Sequence, residues 1–143
     1  MADQDAGYSI IGRSLLKVDA MAKVTGETKF ADDLVLPRML HAKILRSPHP
    51  HARILSIDTG LAEALPGVHA VLTGRALPIT FGILPVSQDE EALAIQRVRY
   101  VGDPVAAVAA VDEETAEAAC RLIRVEYEIL PAIMSLDEAL RRE

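Results

Sequence analysis

A chain of 143 residues, half of them hydrophobic and with a mean hydropathy of +0.20, is long enough to bury one core and too apolar for disorder. Its net charge of −6 and pI near 5.2 argue against a binder of phosphate backbones or anionic membranes, which would need a basic face. With aromatics at 3% and no Trp, the core must come from Ala, Val, Leu and Ile; the single cysteine, Cys120, excludes an internal disulfide and any all-cysteine metal cluster within the chain.

Residues 1–9 are polar and contain Gly, and read as a flexible N-terminal arm ahead of one domain over 10–143. The opening Met1-Ala2-Asp3-Gln4-Asp5 is acidic, and no apolar stretch approaches the ~20 residues of a membrane span, so the expected compartment is the cytoplasm. Asp19 to Gly26 reads as turn-like, Glu27 to Leu34 as a short strand, and Pro37 as a break. Met39 to Arg46 alternates, with Leu40, Ala42 and Ile44 on one side, which predicts a half-buried strand. Ser47-Pro48-His49-Pro50-His51 is a Pro-punctuated loop, and Arg53 to Asp58 the next strand. Thr59 is placed to cap a short helix that Pro66-Gly67 stops, and Val68 to Leu72 follows as a strand.

Residues 73–97 lack a clear period. Pro78, Gly82 and Pro85 interrupt them and Gln88-Asp89-Glu90-Glu91 is charged, so this excursion is the expected partner contact. The sharpest local feature comes next. Strands are expected over 98–101 and 104–111, with Gly102-Asp103-Pro104 as a tight turn between them that opens into an apolar run expected to be buried on both faces. Pro104 forces Asp103 to be extended, and Gly102 suits a positive φ or close packing. Asp112 is a good N-cap, with Glu113 and Glu114 in the first turn and Arg121 and Arg124 in the last. Ala116, Ala119, Cys120 and Ile123 recur at helical spacing as an apolar face. Val125, Tyr127 and Ile129 alternate with Glu126 and Glu128 in a strand with one wet face; Pro131 ends it, and Leu136 to Arg142 forms a terminal helix. The strand–helix–strand order over 98–129 predicts a crossover unit within an α+β domain.

Few constellations carry chemistry. His49 and His51, with His41 and His69, could supply metal ligands, but no thiolate and no carboxylate run completes a ligand set, and Pro50 keeps the pair out of helical register. Glu126 and Glu128 read as surface acids, and Cys120 as an inert buried thiol. Ser14, Ser47 and Ser56 lack a nucleophile elbow, and the glycines form neither G-x-G-x-x-G nor a Walker loop. No catalytic, cofactor-binding or metal residue is therefore assigned to this chain.

Several stretches together carry a resemblance. They are Ile11-Gly12-Arg13-Ser14, Lys23-Val24-Thr25-Gly26-Glu27-Thr28-Lys29-Phe30-Ala31-Asp32-Asp33, Ile44 to Ile54 around Arg46-Ser47-Pro48-His49-Pro50-His51, Leu65-Pro66-Gly67-Val68, Val98 to Ala110, and Val125 to Ala132. In this order and spacing the chain resembles the N-terminal region of the molybdenum-binding subunit of the xanthine dehydrogenase and aldehyde oxidase family. The resemblance implies the α/β-hammerhead domain, expected as a mixed sheet with two main helices. Phe81-Gly82-Ile83-Leu84-Pro85 is similar to the 4-hydroxybenzoyl-CoA reductase large subunit.

Such enzymes are oxidoreductases that hydroxylate an aldehyde or heteroaromatic carbon with water as the oxygen source; the 4-hydroxybenzoyl-CoA branch instead removes a hydroxyl group reductively. The resemblance implies a molybdopterin cofactor in the full subunit, and iron–sulfur clusters and FAD in partner subunits or domains. The family's catalytic glutamate and pterin loops lie in later domains, so the role implied for this chain is a scaffold, inactive alone. Its implied partners are the remaining molybdopterin-binding domains and the iron–sulfur and FAD subunits, with no nucleic acid and no membrane. The family's large subunit is several times longer, which implies a split-off subunit or a fragment. Two other classes stand beside this reading: a free-standing binding or assembly module without redox function, and a domain with its own hydrolytic or metal-dependent activity resting on His49, His51 and scattered carboxylates.

Overall fold

A computed structural model describes residues 9–141, so the expected arm over 1–9 falls outside the described residues except for its last position. The chain divides into two compact units, Met1–Pro37 and Arg38–Glu143.

The described part of the first unit holds one short helix, α1 (Ala20–Val24), where the sequence reads only as turn-like. Lys23 pairs with Asp19 one turn earlier, and Gly26 adopts φ +76° just past the end. The strand expected over Glu27 to Leu34 does not form. The amides of Glu27 and Thr28 both donate to the Ala22 carbonyl, closing the helix end, and Ala31–Asp33 makes a 3-10 turn in which the Phe30 amide donates to Asp33 Oδ2 at 3.0 Å. Local acceptors thus claim the backbone amides that a ladder would have needed.

The second unit is antiparallel throughout its described ladders. β1 (His41–Arg46), β7 (Pro104–Ala110) and β3 (Val68–Thr73) form one sheet in that order. β6 (Arg97–Val98), β2 (Ala52–Asp58) and β8 (Arg124–Ile129) form a second, and β4 (Thr80–Phe81) with β5 (Glu90–Glu91) a small ladder. Helices α2 (Gly60–Glu63), α3 (Glu113–Leu122) and α4 (Leu136–Leu140) complete the unit. The α+β class holds, but antiparallel sheets stand where a mixed sheet was expected. The crossover expected over 98–129 is absent because β7 and β8, on either side of α3, lie in different sheets.

Helix α3 forms where a cap and an apolar stripe coincide. Asp112 is extended, and its Oδ1 accepts from the Thr115 amide at 2.7 Å, which also holds its carboxyl below the usual range. Ala116, Ala119 and Cys120 are buried, and with Ile123 they pack in one core with Ala62, Ala106 and Val108. Alanines on both sides let the helix lie close to the sheet. The helix ends at Leu122, so Arg124 opens β8 instead of closing the helix. Thr59 precedes α2 but makes no side-chain cap; the Gly60 amide donates to Asp58 Oδ1 instead.

A second core joins Ala52, Ala94, Val98 and Val105, bounded by Ile54, Ile57, Val125 and Tyr127. Full burial of a valine stabilises a fold by about 1.5–3 kcal/mol, and Val98, Val105 and Val108 are the largest fully buried side chains. The outer side of β2 and β8 is wet as expected: Arg53 Nη1 pairs with Glu128 at 2.6 Å and Ser56 Oγ donates to Glu126 at 3.1 Å.

Two strand faces depart from expectation. On β7, Ala106, Val108 and Ala110 are buried under α3, but Ala107 and Ala109 on the reverse side are only half-buried. On β1 the covered positions are His41, Lys43 and Leu45, whereas Leu40, Ala42 and Ile44 are exposed. Lys43 tolerates the covered side because its ammonium reaches Glu113 at the start of α3. This contact raises the Lys43 pKa and lowers that of Glu113.

Candidate functional site

The Ser47–His51 loop and the turn at Gly102 meet at one end of the second unit. The Ser47 amide donates to the Asp103 carbonyl at 2.9 Å, and the Gly102 amide to the Ser47 carbonyl at 2.8 Å. Arg46 Nη1 adds a bond to the Gly102 carbonyl at 2.9 Å. Gly102 has φ +94°, so of its two expected uses the positive φ is the one realised; a side chain there would have open space around it. Asp103 is 7% exposed, and its Oδ2 accepts from the Arg99 amide at 2.8 Å, closing a turn over 99–103, so the strand expected over 98–101 stops at Val98. Ser47, also buried, exchanges hydrogen bonds with the main chain of His49 at 3.0 Å. Burial raises the Tyr127 pKa, partly offset by the Ser47 hydroxyl, and the Tyr127 ring meets His49 edge-on with centroids 5.1 Å apart.

Beside this junction lies an open cleft of about 610 Å³, lined by Pro50 and His51, by Arg97 to Val101 (except Val98), and by Pro131 to Met134. Three chain segments that are far apart in sequence build it. The His51 ring lies 2.6 Å from the Pro131 carbonyl, which can only accept, so Nδ1 carries the proton. The Leu130 amide donates to the His51 carbonyl at 2.9 Å and fixes the same two segments. Arg97 and Arg99 make no ion pair among the described residues, and Tyr100, Val101, Ile133 and Met134 are well exposed. Guanidinium groups beside an apolar wall suit association with an anionic, partly apolar surface. The cleft lining includes no Ser, Thr or Cys nucleophile and no carboxylate.

A smaller cavity of about 320 Å³ on the other side of Arg99 is lined by Asp89, Glu90 and Glu91 from the long excursion, together with Phe81 and Asp103. Glu91 accepts from the Ile95 amide at 2.9 Å, so one of the charges expected at a partner contact has a structural task.

The remaining candidates do not converge. His41 and His69 sit near the far end of the β1–β7–β3 sheet, beside Ala110, while His49 and His51 follow the opposite end of β1. Among the described residues no three of His, Cys, Asp or Glu are placed to hold a metal ion. Cys120 is buried, and its surroundings, burial first and Glu117 second, raise its pKa, which disfavours the reactive thiolate. No helix among the described residues is long and apolar enough to cross a membrane. Sequence reading missed the arginine-lined cleft; the pairing of exposed Tyr100-Val101 with Arg97 and Arg99 is the signal that could have found it.

Comparison with known proteins bears on the whole arrangement. The aldehyde oxidase and xanthine dehydrogenase a/b hammerhead domain matches residues 25–131. A probable xanthine dehydrogenase subunit from Bacillus subtilis is 50% identical over 130 residues, covering 90% of this chain and 17% of that protein. A nicotinate dehydrogenase large molybdopterin subunit from Eubacterium barkeri is 41% identical over 138 residues, covering 95% and 32%. The crystal structure of quinoline 2-oxidoreductase from Pseudomonas putida 86 superposes with a TM-score of 0.80 at 41% identity, covering 92% of this chain and 18% of that one. This chain therefore spans a third or less of the length of these relatives, and by its matched residues and shared architecture it belongs to the aldehyde oxidase and xanthine dehydrogenase family, as the a/b hammerhead domain of its molybdenum-hydroxylase-type large subunits.

Proposed function

We propose that this domain serves as a scaffold in a molybdopterin-dependent oxidoreductase of the cytoplasm, acting on an aldehyde, heteroaromatic or aromatic acyl-CoA substrate. The observation that carries the reading is the meeting of the two signature loops. The Ser47 and Gly102-Asp103 main chains bond to each other, the Ser47 hydroxyl bonds to His49 and Asp103 Oδ2 to the Arg99 amide, so these groups hold the loops together, and the cleft beside them exposes arginine and apolar side chains suited to another protein surface. A relative is named for its molybdopterin subunit, and no reaction step through such a group is assigned to the residues of this chain. The remaining domains of the large subunit would hold that cofactor, and partner subunits or domains the iron–sulfur clusters and FAD. The excursion over 73–97 would face such a partner.

The test is turnover by the intact assembly in isotopically labelled water. With aldehyde and heteroaromatic substrates, the reading expects water oxygen in the hydroxylated product, and with 4-hydroxybenzoyl-CoA-type substrates, loss of the ring hydroxyl. An assembly that turns over none of these classes would contradict it.

A further inference from the structure

We propose that the side of the β1–β7–β3 sheet away from α3 is the seat of another domain of the large subunit, one that presents a flat, uncharged aliphatic surface; the proposal rests on the family reading above. The register places Ile44, Ala107 and Leu72 side by side in one row across the three strands, and Ala42, Ala109 and Ala70 side by side in the next. Residues directly opposite in a ladder share a face. These six side chains therefore form one patch on the side of the sheet away from α3, and Leu40, which immediately precedes β1, extends it at the next alternate position. Ile44 is 45% exposed, Leu72 41% and Leu40 43%. Neither row contains a charged or polar side chain.

The sequence pattern calls for a cover here. A sheet with one face in water alternates apolar with polar residues, as β8 does with Glu126 and Glu128. β7 is apolar on both sides along its whole length, and β1 places its only charged interior residue, Lys43, on the side already covered by α3. This is the pattern of a sheet buried on both faces.

The occupant follows from area and from length. Three large side chains, each less than half exposed, and four alanines fall well short of the ~800 Å² per partner typical of a stable complex between separate molecules. A second copy of this chain is therefore a poor cover. A domain of the same polypeptide can seat on less, since interfaces between domains of one chain begin at ~600 Å² in total and the tether supplies a high effective concentration. The relatives carry this segment as 17% to 32% of a longer chain, which provides such domains. The alanine row lets a neighbouring backbone approach closely, and the lack of charge requires an occupant without charges of its own at the contact.

The experiment uses the intact assembly with Ile44→Cys or Leu72→Cys, and Ser56→Cys on the wet side of β2 as the exposed reference. Alkylation is read peptide by peptide by mass spectrometry. The expected result is labelling of positions 44 and 72 at least tenfold slower than position 56, at a rate independent of protein concentration. Labelling as fast as position 56 would overturn the proposal, as would protection lost on dilution, or disulfide cross-links between two copies through position 44 or 72, both of which would mark a second copy as the occupant. Molybdenum is measured on the same sample. Failure of the family reading thus shows in the metal, and failure of the surface assignment in the label.

Discussion

Two glycines show how one residue type answers two physical demands. Gly102 has φ +94° with nothing near the position of a Cβ, whereas Gly74 has an ordinary φ but a Cβ there would meet the Leu93 carbonyl oxygen at 2.4 Å. Gly102→Ala should destabilise by about 1–2 kcal/mol, the backbone strain alone. Gly74→Ala should cost more, about 2–3 kcal/mol, because a carbonyl oxygen must move. Urea denaturation of the two variants checks this order, and equal losses would refute it. Asp112 is the residue whose part was most legible: an acceptor side chain directly before an apolar stripe has one obvious use, and Thr115 confirms it. Asp112→Ala should lower the midpoint of thermal unfolding by about 5 °C, read by circular dichroism. The environment of Asp103 was less legible. Pro104 calls for an extended backbone at Asp103, but the burial of this residue depends on Arg99 and on the Ser47 loop, which is distant in sequence.

At the scale of elements, sequence spacing says which residues share a face without saying which face is covered. Leu40, Ala42 and Ile44 alternate as read, yet α3 covers the other side of β1. The reason is the Lys43–Glu113 contact together with Leu45 against the α3 core, neither of which periodicity reveals. That contact has a defined pH signature. The Glu113 pKa is lowered from its ordinary 4.5, so the contribution of the pair is present above that value and is lost as pH falls through the lowered one. The Lys43 pKa is raised from its ordinary 10.5, so the contribution is present below that value and is lost as pH rises through the raised one. The stability difference between the protein and Lys43→Met should be flat between those limits and change at both ends, as measured by urea denaturation across pH; a difference that grows in acid would contradict the assignment. In the core, Val108→Ala should cost about 2 kcal/mol, because the close approach of α3 leaves little room to collapse onto the cavity.

At the scale of the whole molecule, the order of the signature stretches pointed to the family, and the fold and the comparisons agree with it. The antiparallel pairing was not legible, because the strand–helix–strand order of β7, α3 and β8 reads the same whether the two strands join one sheet or two. The cleft was not legible either, since His51, Arg97, Arg99 and Ile133 come from three segments that only the folded chain brings together. The architecture leaves a domain whose signature loops bond to each other, with an arginine-lined cleft and an open aliphatic sheet face toward the outside. On the proposed reading neighbouring domains or subunits cover these surfaces, which makes the composition of the native protein the decisive quantity. The most direct measurement is the molybdenum content of that protein after gentle purification, together with the masses of its polypeptides. The account predicts stoichiometric molybdenum and a large-subunit polypeptide carrying the pterin-binding domains; a pure chain without molybdenum and without those domains would contradict it.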